Sequence, residues 1–335
     1  MELFEENLAE VAGLRCIAWD KLREKTIFIT GATGLIGTTI IRLLNYANRV
    51  YDLNLNIVAL VRDEEKANAR FSDILASGCL HFVVGAVESV DISSISCHIN
   101  YLIHGASQTA SREIMQHPVE TIDTAVTGTK RMLELAKQHQ VVGAVYLSSM
   151  EVYGHPLRGH RVQENEIGTF SPSNLRNCYP ISKILCENMC LAYASEYRLP
   201  VKICRLTQTF GPDVSESDRR VFAYFMECVR ERKDIVLKTS GETERSYLHS
   251  DDAAAAILTV LLDGVQGEAY NAADESTYCS IAEMAKRIAD EAGVAVEFEI
   301  QPLTSNGYPD TLYMDLDTTK LKNLGWRPVK TYLSY

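Results

Sequence analysis

An apolar run from Thr26 to Ile29 passes without a spacer into Thr30-Gly31-Ala32-Thr33-Gly34-Leu35-Ile36-Gly37, and no other stretch of the 335-residue chain constrains its fold as tightly. A strand must turn sharply there into a helix running from Leu35 to about Asn48. The first glycine permits the turn, the second lets backbone amides approach a pyrophosphate, and the third lets the helix pack closely on the sheet. A helix N-terminus also presents partial positive charge to phosphate. Gly31, Thr33, Gly34, Leu35, Ile36 and Gly37 are therefore the expected contacts of a nucleotide cofactor.

A second constellation follows much later. Leu147-Ser148-Ser149-Met150-Glu151-Val152-Tyr153-Gly154 closes an apolar strand, and Tyr179-Pro180-Ile181-Ser182-Lys183 opens a helix. Residues four apart share a helix face, so Tyr179 and Lys183 can point into one site. Pro180 suits a first helical position, where its missing N–H costs nothing. A lone Y-x-x-x-K is a weak motif; three elements in this order are a strong one.

At these residues the chain resembles the extended short-chain dehydrogenase/reductases that modify nucleotide sugars: 4-epimerases, 4,6-dehydratases and UDP-glucuronate decarboxylases. The G-x-x-G-x-x-G spacing is usual in that superfamily. The resemblance spans nearly the whole chain, through His104-Gly105-Ala106-Ser107, His117-Pro118-Val119, Gly128-Thr129, Arg205 to Pro212, Arg245 to Asp252, Tyr270-Asn271 and Leu324 to Pro328. It implies a tightly bound NAD or NADP, with His104, Ala106, Ser107, Tyr179 and Lys183 among its contacts, and a nucleotide-diphosphate sugar as substrate. It also implies a homodimer formed by helices 118–139 and 180–198, for which Met132, Leu133, Leu135, Met189 and Leu191 supply apolar side chains.

Strands and helices alternate: strand 26–30, helix 35–48, strand 56–61, helix 63–76, strands 80–84 and 100–104, helix 118–139, strand 142–148, helix 180–198, strand 200–206. That alternation implies an α/β fold, a Rossmann-type doubly wound parallel sheet covered on both faces. Residues 1–24 read as a helical extension packed on the sheet, with Leu3, Phe4, Leu8 and Val11 at helical spacing. Residues 25–210 form the expected NAD(P)-binding domain, and 211–335 mainly a smaller substrate-binding lobe, the chain crossing between the two.

A net charge of −11 offers no surface for nucleic acid. The nine cysteines contain no C-x-x-C pair, and Cys186 and Cys190 read as buried thiols and not metal ligands. Reduced thiols and the acidic start Met1-Glu2-Leu3-Phe4-Glu5-Glu6 point to the cytoplasm. The apolar stretch Ala253 to Leu262 falls far short of the roughly 20 residues that span a bilayer.

The chemistry begins with a base. A sugar hydroxyl yields hydride only as its proton leaves, and a phenol of pKa about 10 is mostly protonated at neutrality. Lys183 and an oxidised nicotinamide would favour the Tyr179 phenolate; bringing it to neutrality takes about 4 kcal/mol. Ser149 would hold the same sugar oxygen. In the dehydratases that the chain resembles, the catalytic Ser/Thr is followed by Asp-Glu, the Asp helping water to leave and the Glu acting at C5. Decarboxylases keep the Glu alone. Met150-Glu151 stands at that pair, so Met150 cannot deliver a proton and Glu151 is the fourth catalytic candidate. Arg176 and Cys178 resemble the same branch.

Arg245 matches the family's diphosphate contact, a task suited to a guanidinium, and Gln208 replaces an Asn near the sugar phosphate. Arg219 and Arg220 read as solvated, and Asp251 and Asp252 as the N-cap and first-turn acid of the next helix. Cofactor choice stays open. Arg62 can accept a 2′-phosphate and Asp63 a 2′-hydroxyl, while Ala86-Val87 replaces an Asp-containing pair near adenine. The expected reaction is dehydration or decarboxylation through a 4-keto sugar. The alternatives are a 4-epimerase, a carbonyl reductase, which would need neither Arg245 nor Gln208, and a non-catalytic cofactor-binding protein.

Overall fold

A computed structural model describes residues 2–214, 220–300 and 311–330 of the chain. Among them, a seven-stranded sheet is built from β1 (Thr26–Thr30), β2 (Asn56–Val61), β3 (Leu80–Val84), β4 (Tyr101–His104), β5 (Gly143–Ser149), β7 (Val201–Leu206) and β11 (Ala269–Ala272). The order is β11-β7-β5-β4-β1-β2-β3, with every pair parallel. Strands of such a sheet are covered on both faces and must be apolar throughout. Ile27, Phe28 and Ile29 on β1 are accordingly inaccessible to solvent.

One face carries α2 (Leu35–Val50) and α8 (Ser250–Asp263); Ile40, Ile41 and Leu44 of α2 share a core with Ala253 to Leu258 of α8. The other face carries α5 (Pro118–Gln138), preceded by the short α4 (Ser111–Gln116), and α6 (Cys178–Glu196); Met132 and Leu135 of α5 and Cys186 and Cys190 of α6 pack on Phe28, Leu102 and Ala144. Chain order reverses between β1 and β4. A crevice opens at the carboxyl ends of the strands at such a switch point.

A second sheet has the order β12-β10-β14-β6, formed by β6 (Arg161–Val162), β10 (Glu244–His249), β12 (Asp274–Ser280) and β14 (Tyr313–Leu316), with β8 (Gln208–Phe210) also paired to β10. Helices α7 (Val221–Glu231) and α9 (Ile281–Ala292), with the paired strands β9 (Ile235–Leu237) and β13 (Val296–Phe298), close a separate core around Phe222, Phe225, Tyr247 and Met284. The region after residue 210 is thus not all small lobe, since α8 and β11 belong to the large layer.

Four local expectations need correction. The helix expected over 63–76 is α3 (Glu64–Arg70) followed by a bend, because Phe71 and Ile74 both turn into the core. Helix α1 (Glu2–Ala12) packs on α2 and α8, not on the sheet, through Leu8 and Val11; the side chains of Leu3 and Phe4 lie outside the described residues. Met132, Leu133 and Leu135 are core, whereas Val119, Ile122, Ile181, Leu185 and Leu191 form the exposed apolar stripe of α5 and α6. Pro180 is the third residue of α6, still within the turn whose N–H groups lack helical partners.

Candidate active site

The β1–α2 junction is shaped by its glycines. Gly31 has φ +72°, and a Cβ there would lie 2.7 Å from the Gly105 backbone; at Gly37 it would lie 2.2 Å from the Gly31 carbonyl oxygen. Gly34 precedes α2 with no side-chain cap and no acid in the first turn. The first N–H groups of α2 thus have no side-chain acceptor among the described residues, and these residues fit a pyrophosphate. Thr33, Leu35 and Ile36 are partly exposed around them. The opposite wall is fixed by Thr30, whose hydroxyl accepts from Gly105 N (3.2 Å) and Ala106 N (3.1 Å). Ala106 and Ser107 are half-buried at the crevice.

His104 does not face it. Its Nδ1 lies 2.7 Å from the Thr30 hydroxyl and its Nε2 3.1 Å from that of Thr129, and burial holds its pKa down at about 3. Because the Thr30 oxygen already accepts two N–H bonds, its proton goes to Nδ1, and Nε2–H donates to Thr129. This neutral, buried ring ties β1, β4 and α5 together.

Ser149 ends β5, and its Oγ accepts from Glu151 N (3.2 Å), capping the 3-10 turn Met150–Tyr153. Tyr179 and Lys183 project from α6 into the same place. Lys183 Nζ donates to Leu147 O (2.7 Å) and sits 4.8 Å from the Tyr146 ring centroid and 5.7 Å from that of Tyr179. Burial lowers the Lys183 pKa to about 8, which leaves the ammonium mostly charged at neutrality. The Tyr179 phenol is pushed well above the usual tyrosine range, first by burial and then by the Glu151 charge. The Ser149 hydrogen bond, Arg176 and Arg220 oppose this. The expected phenolate is thus not a property of the protein alone; it needs a further positive charge in the crevice.

Arg176 Nη2 donates to Glu151 Oε1 (3.0 Å), and its guanidinium lies 5.7 Å from the Tyr179 ring centroid. On the small-lobe side, β8 and β10 are neighbours, so Arg245 Nη1 donates to Gln208 Oε1 (2.7 Å). Arg245 Nε is buried with no acceptor among the described residues, which suits a site awaiting an anion. Arg62 is exposed just past β2. Asp63 commits one carboxylate oxygen to Lys66 N as the N-cap of α3. Val87 is buried, its side chain packed against Gly128; Ala86 lies half-buried beside it. Arg219 lies outside the described residues.

Beneath the site lies a network that the sequence did not announce. Arg205 grips Glu187 with two bonds (3.0 and 2.7 Å) and donates to the Tyr153 hydroxyl (2.8 Å), which donates to Asn271 Oδ1 (2.5 Å). These residues stand in segments already singled out, but only the fold shows that they brace the Ser149–Tyr153 turn against α6. The cap of α8 is His249, whose Nδ1 accepts from Asp251 N (3.2 Å). Asp252 instead receives Val329 N and Lys330 N at 2.9 Å each.

Residues 27–273 match the family described as NAD dependent epimerase/dehydratase. The chain belongs to that family. It is similar to UDP-glucuronic acid decarboxylase 4 of Arabidopsis thaliana, with 29% identity over 71% of this chain and 52% of that protein. The trifunctional UDP-glucose 4,6-dehydratase, 3,5-epimerase and reductase RHM2 of the same plant is 28% identical over 91% of this chain and 45% of its own length. The chain spans about half the length of these relatives. Among solved structures, dTDP-glucose 4,6-dehydratase from Bacillus anthracis in complex with NAD superposes with TM-score 0.75 at 24% identity, covering 92% of this chain and 93% of that one. UDP-glucose 4-epimerase from Thermotoga maritima superposes with TM-score 0.75 at 20% identity, covering 91% and 94%. At these identities the two structures establish the Rossmann-type fold of this epimerase/dehydratase family member.

Proposed function

We propose that the protein modifies a nucleotide-diphosphate sugar through a 4-keto intermediate, by dehydration or decarboxylation. The observation that carries this reading is the joining of Ser149, Tyr179 and Lys183 with a Glu151 held by Arg176. When bound, the dinucleotide supplies a hydride acceptor and later a hydride donor. The chain's residues do the rest. Ser149 orients the sugar O4, and Tyr179 takes its proton while Lys183 stabilises the developing phenolate. Glu151, as an ion-paired carboxylate, exchanges the C5 proton that the neighbouring ketone makes acidic. Gln208 and Arg245 grip the diphosphate.

Met150 is buried and has no proton to give, so an acid for a departing C6 hydroxyl is missing beside Glu151, which favours decarboxylation within this pair. The 4-epimerase remains the second reading; it needs no group at C5. Incubating the protein with UDP-, dTDP-, CDP- and GDP-linked sugars and weighing the products separates the outcomes. Loss of water or carbon dioxide supports the proposal, whereas an unchanged mass with altered retention would establish the epimerase. The reading extends to a homodimer through the exposed stripe of α5 and α6 and to a cytoplasmic location, suggested by nine free cysteines. No helix of the described residues is long and apolar enough to cross a membrane.

A further inference from the structure

Arg176 lies in a 3-10 turn just ahead of α6, its backbone N–H held by Asn174 Oδ1 at 3.0 Å. Two parts of its guanidinium are accounted for. Nη2 serves Glu151, and the plane lies beside the Tyr179 ring. Nη1 is not: it is shielded from solvent and has no acceptor among the described residues, although the side chain as a whole is 28% exposed. A buried charged donor without an acceptor is costly, and a surface arginine would turn that nitrogen to water. Its position beside two catalytic candidates marks it for a ligand oxygen.

We propose that Arg176 binds the oxygen substituent on C6 of the sugar through Nη1. The inference rests on the nucleotide-sugar reading above and deepens it. With Tyr179 at O4 and Glu151 at the C5 proton, a guanidinium bonded to Glu151 and lying beside the Tyr179 ring is within reach of the substituent on C6. Met150 offers no competing donor; it is buried and its sulfur accepts from the Thr207 hydroxyl (3.3 Å). Both a C6 hydroxyl and a C6 carboxylate accept from a guanidinium, and a pentose has neither. Arg176 is therefore a specificity-determining residue that reads the presence of C6.

The test compares the wild-type protein, Arg176→Gln and Arg176→Lys, each loaded with cofactor and checked for an unchanged unfolding temperature. Three nucleotide sugars are used: a hexose, a hexuronate and a pentose. Cofactor reduction in the first turnover gives kcat and KM for each. The expected result is a loss of about tenfold in kcat/KM for Arg176→Gln on both C6-bearing sugars, carried mainly by KM, with the pentose hardly affected. Arg176→Lys, which keeps a cation, recovers part of the loss. A larger loss on the hexuronate than on the hexose identifies the carboxylate as the preferred partner. An equal loss on the pentose would mean that Arg176 acts through the neighbouring Tyr179 and not on C6, and would overturn the proposal, as would no loss at all. A wild-type protein whose cofactor no nucleotide sugar reduces would instead overturn the underlying reading, and this inference with it.

Discussion

Tyr179, the proposed base, is held protonated by the folded chain alone: burial and Glu151 raise its pKa, and the cations nearby do not reverse this. Its activation is therefore conditional on what enters the crevice. Tyr179→Phe should lower cofactor reduction by on the order of a hundredfold or more, whereas Glu151→Gln should leave reduction intact and stop product release. Following the near-ultraviolet absorbance of reduced nicotinamide alongside product formation checks both, and normal product from the Gln variant would make Glu151 a bystander. Arg62 is the other single side chain with a separable role. If it meets a 2′-phosphate, Arg62→Ala should weaken NADP about tenfold and leave NAD unchanged; titration of both cofactors decides, and equal losses would return the role to Asp63.

At the scale of elements, legibility followed periodicity. The strands of the large sheet are uninterrupted apolar runs, and the i, i+4 spacing of Tyr179 and Lys183 places them together without tertiary information. Other features depend on what packs opposite. Whether Met132 faces core or solvent depends on a sheet that its own helix does not encode, and His104 could be assigned to the core only once Thr30 and Thr129 were seen at its two nitrogens. The Glu151–Arg176 and Gln208–Arg245 pairs likewise join separate elements. The glycine junction was legible and is also testable. Gly37→Ala would drive a methyl group into the Gly31 carbonyl and Ala32 backbone, so the mutant should lose roughly 1–3 kcal/mol of stability. Thermal unfolding without ligand reads that loss directly.

Across the whole molecule, four buried groups near the α8 end and the β1–β4 wall contribute to the response to pH in opposite directions. Burial raises Asp251 to about 6 and Asp252 to about 7, and lowers His104 to about 3 and His249 to about 4. Around pH 5 the folded chain therefore holds two protons on the aspartates that an unfolded chain lacks. It lacks two on the histidines that an unfolded chain holds. The raised aspartates contribute stability that is lost as pH rises from about 4 to 6 or 7; the depressed histidines contribute stability that is lost as pH falls from about 6.5 towards 3. Their slopes cancel near pH 5. Asp252→Asn removes one term, so its stability should rise by roughly 1 kcal/mol for each pH unit there. Denaturant titrations at closely spaced pH values check the slope; parallel curves for the two proteins would refute it.

The second sheet draws its strands from residues 161–162, 208–210, 244–249, 274–280 and 313–316. On a translating ribosome, which releases the chain from its N-terminus, β6 emerges long before its partner β14 exists, and β10 must wait as an open edge. The glycine cradle, by contrast, needs only β1, α2 and β4. The half of the crevice that handles the dinucleotide can thus take shape early in synthesis, and the half assigned to the sugar closes only after Tyr313–Leu316 has left the exit tunnel.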